Sequence, residues 1–273
     1  MGRAIELAAG VRSITSPNPW VGAVLVTTDG SMFEGATEAP GSRHAEIVAL
    51  DEARAAGATL DGSTMYTTLE PCSHHGRTPP CADALVAAGV GRVVVGIQDP
   101  DGNVAGQGIE HLRSEGVTVD VGVCADAVRA QLAPYVKHRT TGRPWVLLKL
   151  ASSVDGRTAA PDGTSQWITG DAARADAHRL RAESDAVIVG AGTVRADDPA
   201  LTVRDADGDD PLRVVLGHAP SNARVHPCVE LDGPLVEVLD ELGRRGVVQA
   251  MVEGGATVAG AFHREGLVDR YVL

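Results

Sequence analysis

The sequence predicts an α/β protein built in two successive parts, and three observations carry that reading. Helix-period and strand-period apolar patterns alternate along almost all of the 273 residues. Hydrophobic residues make up 44% of the chain and aromatics only 3%, with 32 glycines among many alanines and valines, a mix suited to packed layers joined by tight turns. Near the middle, the basic and turn-prone stretch KHRTTGRPW (137–145) interrupts the alternation and reads as a linker.

The elements follow in order. Residues 2–10 read as a helix. VGAVLV (21–26) alternates as a strand, and MFEGAT (32–37) is its hairpin partner across the Asp29-Gly30 turn. HAEIVALDEARAAG (44–57) carries one apolar stripe and ends at Gly57, the pattern of a helix with a glycine stop. STMYTTLE (63–70) is a strand, CADALVAAG (81–89) a helix and RVVVGI (92–97) a buried strand. A helix near 105–115, a short strand near 117–123 and a helix near 125–138 complete the first part. Beyond the linker, WVLLKLA (145–151) opens a second α/β run, followed by a helix over 173–184. AVIVGAG (186–192), LRVVLG (212–217) and VVQAMVEGG (247–255) read as buried strands, and DADGDDP (205–211) as an exposed acidic loop.

Charge narrows the partners. The formal net charge of −12 repels phosphate backbones, so nucleic acid is not an expected partner, whereas a small phosphorylated molecule could be held by a few local cations. No apolar run is long enough for a bilayer, and MGRAIELAAG lacks a signal-peptide pattern. A cytoplasmic protein without membrane partners is expected. Its four cysteines then do not form a disulfide framework, and Cys124 and Cys228, with no polar neighbour at ligand spacing, read as ordinary small residues.

Cys72 and Cys81 read differently. His44 and Glu46 form a His-x-Glu pair at a helix start, a strand ends in Pro71-Cys72, and Cys81 opens the next helix. One imidazole and two thiolates can hold zinc tetrahedrally and leave the fourth position to a water whose pKa the metal lowers. Glu46, two residues from His44, can then carry protons without being a ligand, the division of labour that hydrolytic deamination of an aminated ring requires. A helix N-terminus also favours thiolates. Structural zinc sites ordinarily have four protein ligands, and no further cysteine lies close by.

Eight residues separate the two cysteines in PCSHHGRTPPC, where most zinc nucleobase deaminases have two. With TSPNPWVG (15–22) and LEPCSHHGRTPPCADAL (69–85), this insert closely resembles the bifunctional riboflavin-biosynthesis deaminase/reductase family. The resemblance runs over nearly the whole chain. It implies a cytidine-deaminase-like three-layer domain followed by a dihydrofolate-reductase-like α/β domain. It further implies deamination of a diamino-hydroxy-pyrimidine ribosyl-phosphate and then reduction of its ribose with NADPH. Asn18, His74 and Arg77 would contact the pyrimidine or its phosphoribosyl tail, a guanidinium being suited to phosphate. Trp20 departs from the family pattern, which more often has proline there.

The second part resembles the reductase half of that family in LKLASSVDGRTA (148–159), SQWITG (165–170), RLRAESDAVIVGAGTVRADDPALTVR (179–204) and VEGGATVAGAF (252–262). Independently of the resemblance, Gly254-Gly255-Ala256-Thr257 follows a buried strand and opens a helix, which presents backbone N–H groups to a phosphate. By resemblance, Ala151, Trp167, Thr193, Asp197 and the run Gly255, Ala256, Thr257, Val258, Ala259, Gly260 and Ala261 would contact NADPH. Ser165, Arg181, Leu201, Arg204 and Glu253 would contact the substrate. The expected division is a deaminase domain over 1–141 and a reductase domain over 142–273. Chains of that family continue past the segment matching LVDRYVL (267–273), so the natural product is expected to be longer, or the strand RYVL to pair with another copy in a homo-oligomer. The competing reading is a zinc nucleoside or tRNA deaminase carrying a non-catalytic second domain.

Overall fold

The computed structural model describes residues 1–73, 80–102, 104–158, 168–204 and 206–273. The chain divides into two compact units, Met1–Thr140 and Thr141–Leu273. The first contains α1 (Gly2–Gly10), α2 (Arg12–Thr15), β1 (Gly22–Val26), β2 (Met32–Ala36), α3 (Ala45–Ala55), β3 (Thr64–Leu69), α4 (Cys81–Ala87), β4 (Arg92–Ile97), α5 (Gln107–Ser114), β5 (Thr118–Val121), α6 (Ala125–Gln131) and α7 (Ala133–Thr141). Its sheet runs β2-β1-β3-β4-β5, with β1 antiparallel to β2 and β3, and with β3, β4 and β5 parallel.

Two glycines show how helices cover both faces of that sheet. A Cβ on Gly22 would lie 1.9 Å from the Ala4 carbonyl oxygen of α1, and one on Gly35 would lie 2.0 Å from the Ala45 carbonyl oxygen of α3. Ala23 pairs with Gly35, so Gly22 and Gly35 point to opposite faces, and α1 and α3 sandwich the sheet. Backbone approaches this close tolerate only glycine. The helix expected near 125–138 is two helices, α6 and α7, broken at Leu132, two residues before Pro134. The expected linker is also corrected. KHRT continues α7 to Thr141, left-handed Gly142 (φ +74) follows, and β6 begins at Trp145, leaving only Gly142, Arg143 and Pro144 between elements.

The second unit contains β6 (Trp145–Lys149), α8 (Asp171–Ala182), β7 (Ala186–Gly190), α9 (Ala191–Asp197), β8 (Leu212–Leu216), β9 (Val229–Leu231), α10 (Leu235–Arg244), β10 (Gln249–Val252), α11 (Ala256–Arg264) and β11 (Arg270–Val272). Every pairing in the sheet β11-β6-β10-β7-β8-β9 is parallel. Both faces are buried, which explains the unbroken apolar runs. Val146, Leu148, Ile188 and Val252 pack with Leu239 and Leu242 of α10 and Phe262 of α11, while Leu147 and Met251 pack with Leu180 of α8. Three elements here differ from the sequence expectation. β9 and α10 lie where no element is expected, and the strand expected over 186–192 ends at Gly190, where α9 begins directly. Among the described residues, no helix is long and apolar enough to cross a membrane.

Candidate functional site

In the first unit, β3, α3 and α4 bring three donors together. His44 Nδ1 and the Sγ atoms of Cys72 and Cys81 all lie within 4.8 Å of one another. His44 has extended backbone and immediately precedes α3, Cys72 follows β3, and Cys81 is the first residue of α4. The Cys81 N–H donates to Cys72 Sγ at 3.3 Å and the Ala82 N–H to the Cys72 carbonyl at 3.1 Å, clipping the strand end onto the helix start.

The chemistry of this set fits zinc. Ligands about 2.1 Å (N) and 2.3 Å (S) from one tetrahedral ion stand roughly 3.5 Å apart. The His44 Nδ1 to Sγ separations are 3.6 Å for Cys72 and 3.3 Å for Cys81. Hydrogen bonding between the two sulfurs lowers the Cys72 thiol and raises that of Cys81, which favours thiolate character at Cys72. His44 is raised by its hydrogen bond to Cys72.

Glu46 lies in the first turn of α3 and is 4% exposed. Burial, with the Cys72 charge nearby, raises its carboxyl to about 7. Glu46 lines a cavity of about 470 Å³ together with Asn18, His44, Cys72, Asp99 and Arg139, among others. Asn18 of the expected substrate contacts therefore lines the same cavity as the metal donors His44 and Cys72. His74 and Arg77 lie outside the described residues, as do Ser165 and Trp167.

Several residues of this cavity have no counterpart in the sequence reading. Glu70, 4% exposed, accepts from the N–H groups of Asp99 (3.0 Å), Gly106 (3.0 Å), Gly108 (2.9 Å) and Ile109 (3.2 Å). It thereby ties the end of β3 to the loop after β4 and to the start of α5. The Asp99 carboxylate, raised by burial, accepts from the Tyr135 hydroxyl at 3.2 and 3.3 Å and from the Asp101 N–H at 2.9 Å. No local motif marks these contacts. The only sequence signal is the Tyr135/Arg139 spacing of one helical turn.

In the second unit the parallel strands send their C-terminal ends to one edge, where α/β sheets ordinarily bind ligands. Gly254 (φ +102) and Gly255 lead from β10 into α11, which has no side-chain cap at its N-terminus. The Gly255 N–H donates to Thr193 Oγ1 at 2.9 Å, joining this turn to α9. A Cβ on Gly190, at the end of β7, would stand 2.8 Å from Val258 Cγ2. A glycine-lined helix start of this kind fits the phosphate groups of a dinucleotide. Ala256 and Thr257 are exposed here, and Ala151 lies just past β6. Asp197 ends α9 and is exposed, while Gly260 and Ala261 are half-buried. The side chain of Ala259 packs into the hydrophobic core, so the ligand-facing part of the stretch is its first turn.

The expected substrate residues of that edge form one network. Arg181 donates to Glu253 at 2.8 and 2.9 Å, with side chains 9% and 10% exposed, and also to the Thr202 carbonyl. This bidentate pairing fixes the Glu253 carboxylate. Arg204, exposed, approaches His178 Nε2 at 3.3 Å. Leu201 is buried at φ +55, a conformation costly for a side chain with a Cβ. Away from both sites, Cys124 is exposed and Cys228 Sγ lies 3.4 Å from His226 Nδ1, a polar neighbour the spacing argument overlooks.

Comparison with known proteins places these sites in a family. The sequence model described as the cytidine and deoxycytidylate deaminase zinc-binding region matches residues 1–97, and that of the RibD C-terminal domain matches 144–273. The riboflavin biosynthesis protein RibD of Mycobacterium tuberculosis (strain H37Rv) is 46% identical over 99% of this chain and 82% of its own length. The chain belongs to the RibD family. The Escherichia coli K12 member is 39% identical across 100% of this chain and 85% of its own. A structure of Acinetobacter baumannii RibD superposes with a TM-score of 0.90 at 41% identity, covering 99% and 83% of the two chains. A diaminohydroxyphosphoribosylaminopyrimidine deaminase/5-amino-6-(5-phosphoribosylamino)uracil reductase from Thermotoga maritima gives 0.89 at 36%, covering 97% and 82%. The RibD C-terminal match favours a reductase second half over the competing non-catalytic domain.

Proposed function

We propose that this chain deaminates 2,5-diamino-6-(5-phosphoribosylamino)pyrimidin-4-one in its first unit and reduces the ribosyl group of 5-amino-6-(5-phosphoribosylamino)uracil in its second. It is a bifunctional enzyme of riboflavin biosynthesis that uses zinc and NADPH. The observation that carries the deaminase assignment is the His44, Cys72 and Cys81 donor set opening into the cavity that also holds Glu46.

His44, Cys72 and Cys81 would hold zinc, which when bound supplies the Lewis acidity that makes water a nucleophile near neutral pH. Glu46 takes a proton from the attacking water and delivers protons to the ring nitrogen and the departing amino group. Its burial keeps bulk water from competing for those protons. Asn18 donates to or accepts from the pyrimidine edge, and Glu70 keeps the cavity wall in place. In the second unit, Gly255–Val258, Thr193, Asp197 and Ala151 would hold NADPH, which when bound supplies the hydride. Arg181 fixes Glu253 beside the substrate, and Arg204 meets its phosphate. His74, Arg77, Ser165 and Trp167 keep the roles implied by the family resemblance. The domain division is proposed to follow the two units, and the protein to be cytoplasmic. Self-association is proposed through β11, an outer strand whose Tyr271 is about half exposed, and light scattering at two concentrations checks it. Mass spectrometry of products from the diaminopyrimidine substrate, with and without NADPH, tests the whole assignment. It should find the deaminated ribosyl product without NADPH and the ribityl product with it.

A further inference from the structure

Neither family model covers residues 98–143, yet this stretch builds one side of the deaminase cavity. It contributes Asp99, Asp101, Val104, Tyr135 and Arg139 to the lining. The zinc-binding region brings His44, Cys72, Cys81 and Glu46 to the base, and the stretch beyond it adds side chains that can read the rest of the substrate beside those the family resemblance implies.

The cavity is graded in charge with depth. Glu46 and Glu70 are each 4% exposed and Asp99 is 8% exposed, so its inner wall carries carboxylates. Glu70 is already engaged by four backbone N–H groups. No phosphate can be seated against Glu46 and Asp99 without strong repulsion. Toward solvent the lining holds both signs, Asp101 at 25% exposed and one cation beside it. The Arg139 side chain is 32% exposed, and among the described lining residues it is the only arginine or lysine.

Arg139 is also held in place. It stands one helical turn after Tyr135 on α7, and its guanidinium lies over the Tyr135 ring, 5.2 Å from the centroid. Tyr135 is fixed in turn by donating to Asp99. Asp101 forms a long ion pair with Arg139, 3.9 Å from Nε and beyond hydrogen-bond length. The planar fork is thus oriented by stacking and by a long ion pair, a geometry compatible with bidentate capture of an incoming phosphate.

We infer that Arg139 is a specificity-determining phosphate contact of the deaminase cavity, additional to those the family resemblance implies and set so that the base enters toward His44 and Glu46. The inference rests on the deaminase reading of the same cavity. The test compares wild type, R139A and R139K, each checked for zinc content and thermal midpoint, on the phosphorylated pyrimidine and its dephosphorylated counterpart. R139A should raise KM for the phosphorylated substrate by about 10- to 100-fold, with the loss in KM rather than kcat. The wild-type preference for the phosphorylated form should collapse, and R139K should recover part of it. Titration of zinc-loaded protein with inorganic phosphate, which needs no turnover, should show weaker binding in R139A. Equal losses on both substrates, or unchanged phosphate binding, would overturn the inference. Weakened phosphate binding in a protein that deaminates neither substrate would leave the anion site standing and remove the deaminase reading instead.

Discussion

Glu46 and Glu70 are both buried carboxylates of the first unit, and their surroundings give them opposite tasks. Glu70 is saturated by four backbone donors, whereas Glu46 faces the metal donors and the cavity. Glu46→Gln should therefore retain zinc by elemental analysis while deamination falls by about 10²-fold or more. Loss of zinc in this variant would make Glu46 a ligand or a support of the ligands. Glu70→Ala leaves several buried N–H groups without an acceptor, and roughly 3 kcal/mol of stability should go with them. Calorimetry should show the first unit melting about 10 °C lower. An unchanged midpoint would mean that water replaces the carboxylate. The difference between these residues also marks what could be read in advance. His44, Glu46, Cys72 and Cys81 are legible because metal chemistry demands particular side chains at short, recurring spacings. Glu70 acts on residues 29 to 39 positions away, and only the fold brings them to it.

At the scale of elements, α3 depends on one backbone approach of atomic closeness. It carries Glu46 and follows directly on His44, and it rests on β2 at Gly35, where a Cβ would meet the Ala45 carbonyl at 2.0 Å. Gly35→Ala should push the helix start off the strand and displace ligand and proton carrier together. A shift near 1 Å would cost deamination about 10²-fold, with weaker zinc retention on dialysis and NADPH affinity unchanged. Normal deamination in this variant would show that α3 can slide without disturbing the site. Gly57 ends α3 in the left-handed conformation that the sequence expectation requires. Of the elements that escaped prediction, one was legible and two were not. α10 shows Leu235, Val238, Leu239 and Leu242 on one buried stripe, a helix signal as clear as any in the chain. β9 has only three residues and is placed by its parallel pairing with β8, which no local pattern announces. The α7 boundary was hidden because its basic residues resemble a linker in composition while being compatible with a helix interior.

For the molecule as a whole, the two chemistries belong to separate units, so they should fail separately. Cys72→Ser removes one of three metal donors, and it should abolish zinc binding and deamination while NADPH-dependent reduction of the uracil intermediate continues. Coupled loss of both activities, with the protein still folded by circular dichroism, would contradict that independence. The sheets differ in one further respect. In the first unit β1 and β2 form a hairpin and can pair as soon as both exist. In the second unit β6 lies between β11 and β10, and its partner residues run from Gln249 onward, roughly a hundred positions after Trp145. At about 5–20 residues per second of translation, β6 therefore spends roughly 5–20 s outside the ribosome with neither neighbour yet made. During that interval the apolar run WVLLK is an exposed sticky segment, and this is where a chaperone would be most needed in the birth of the protein.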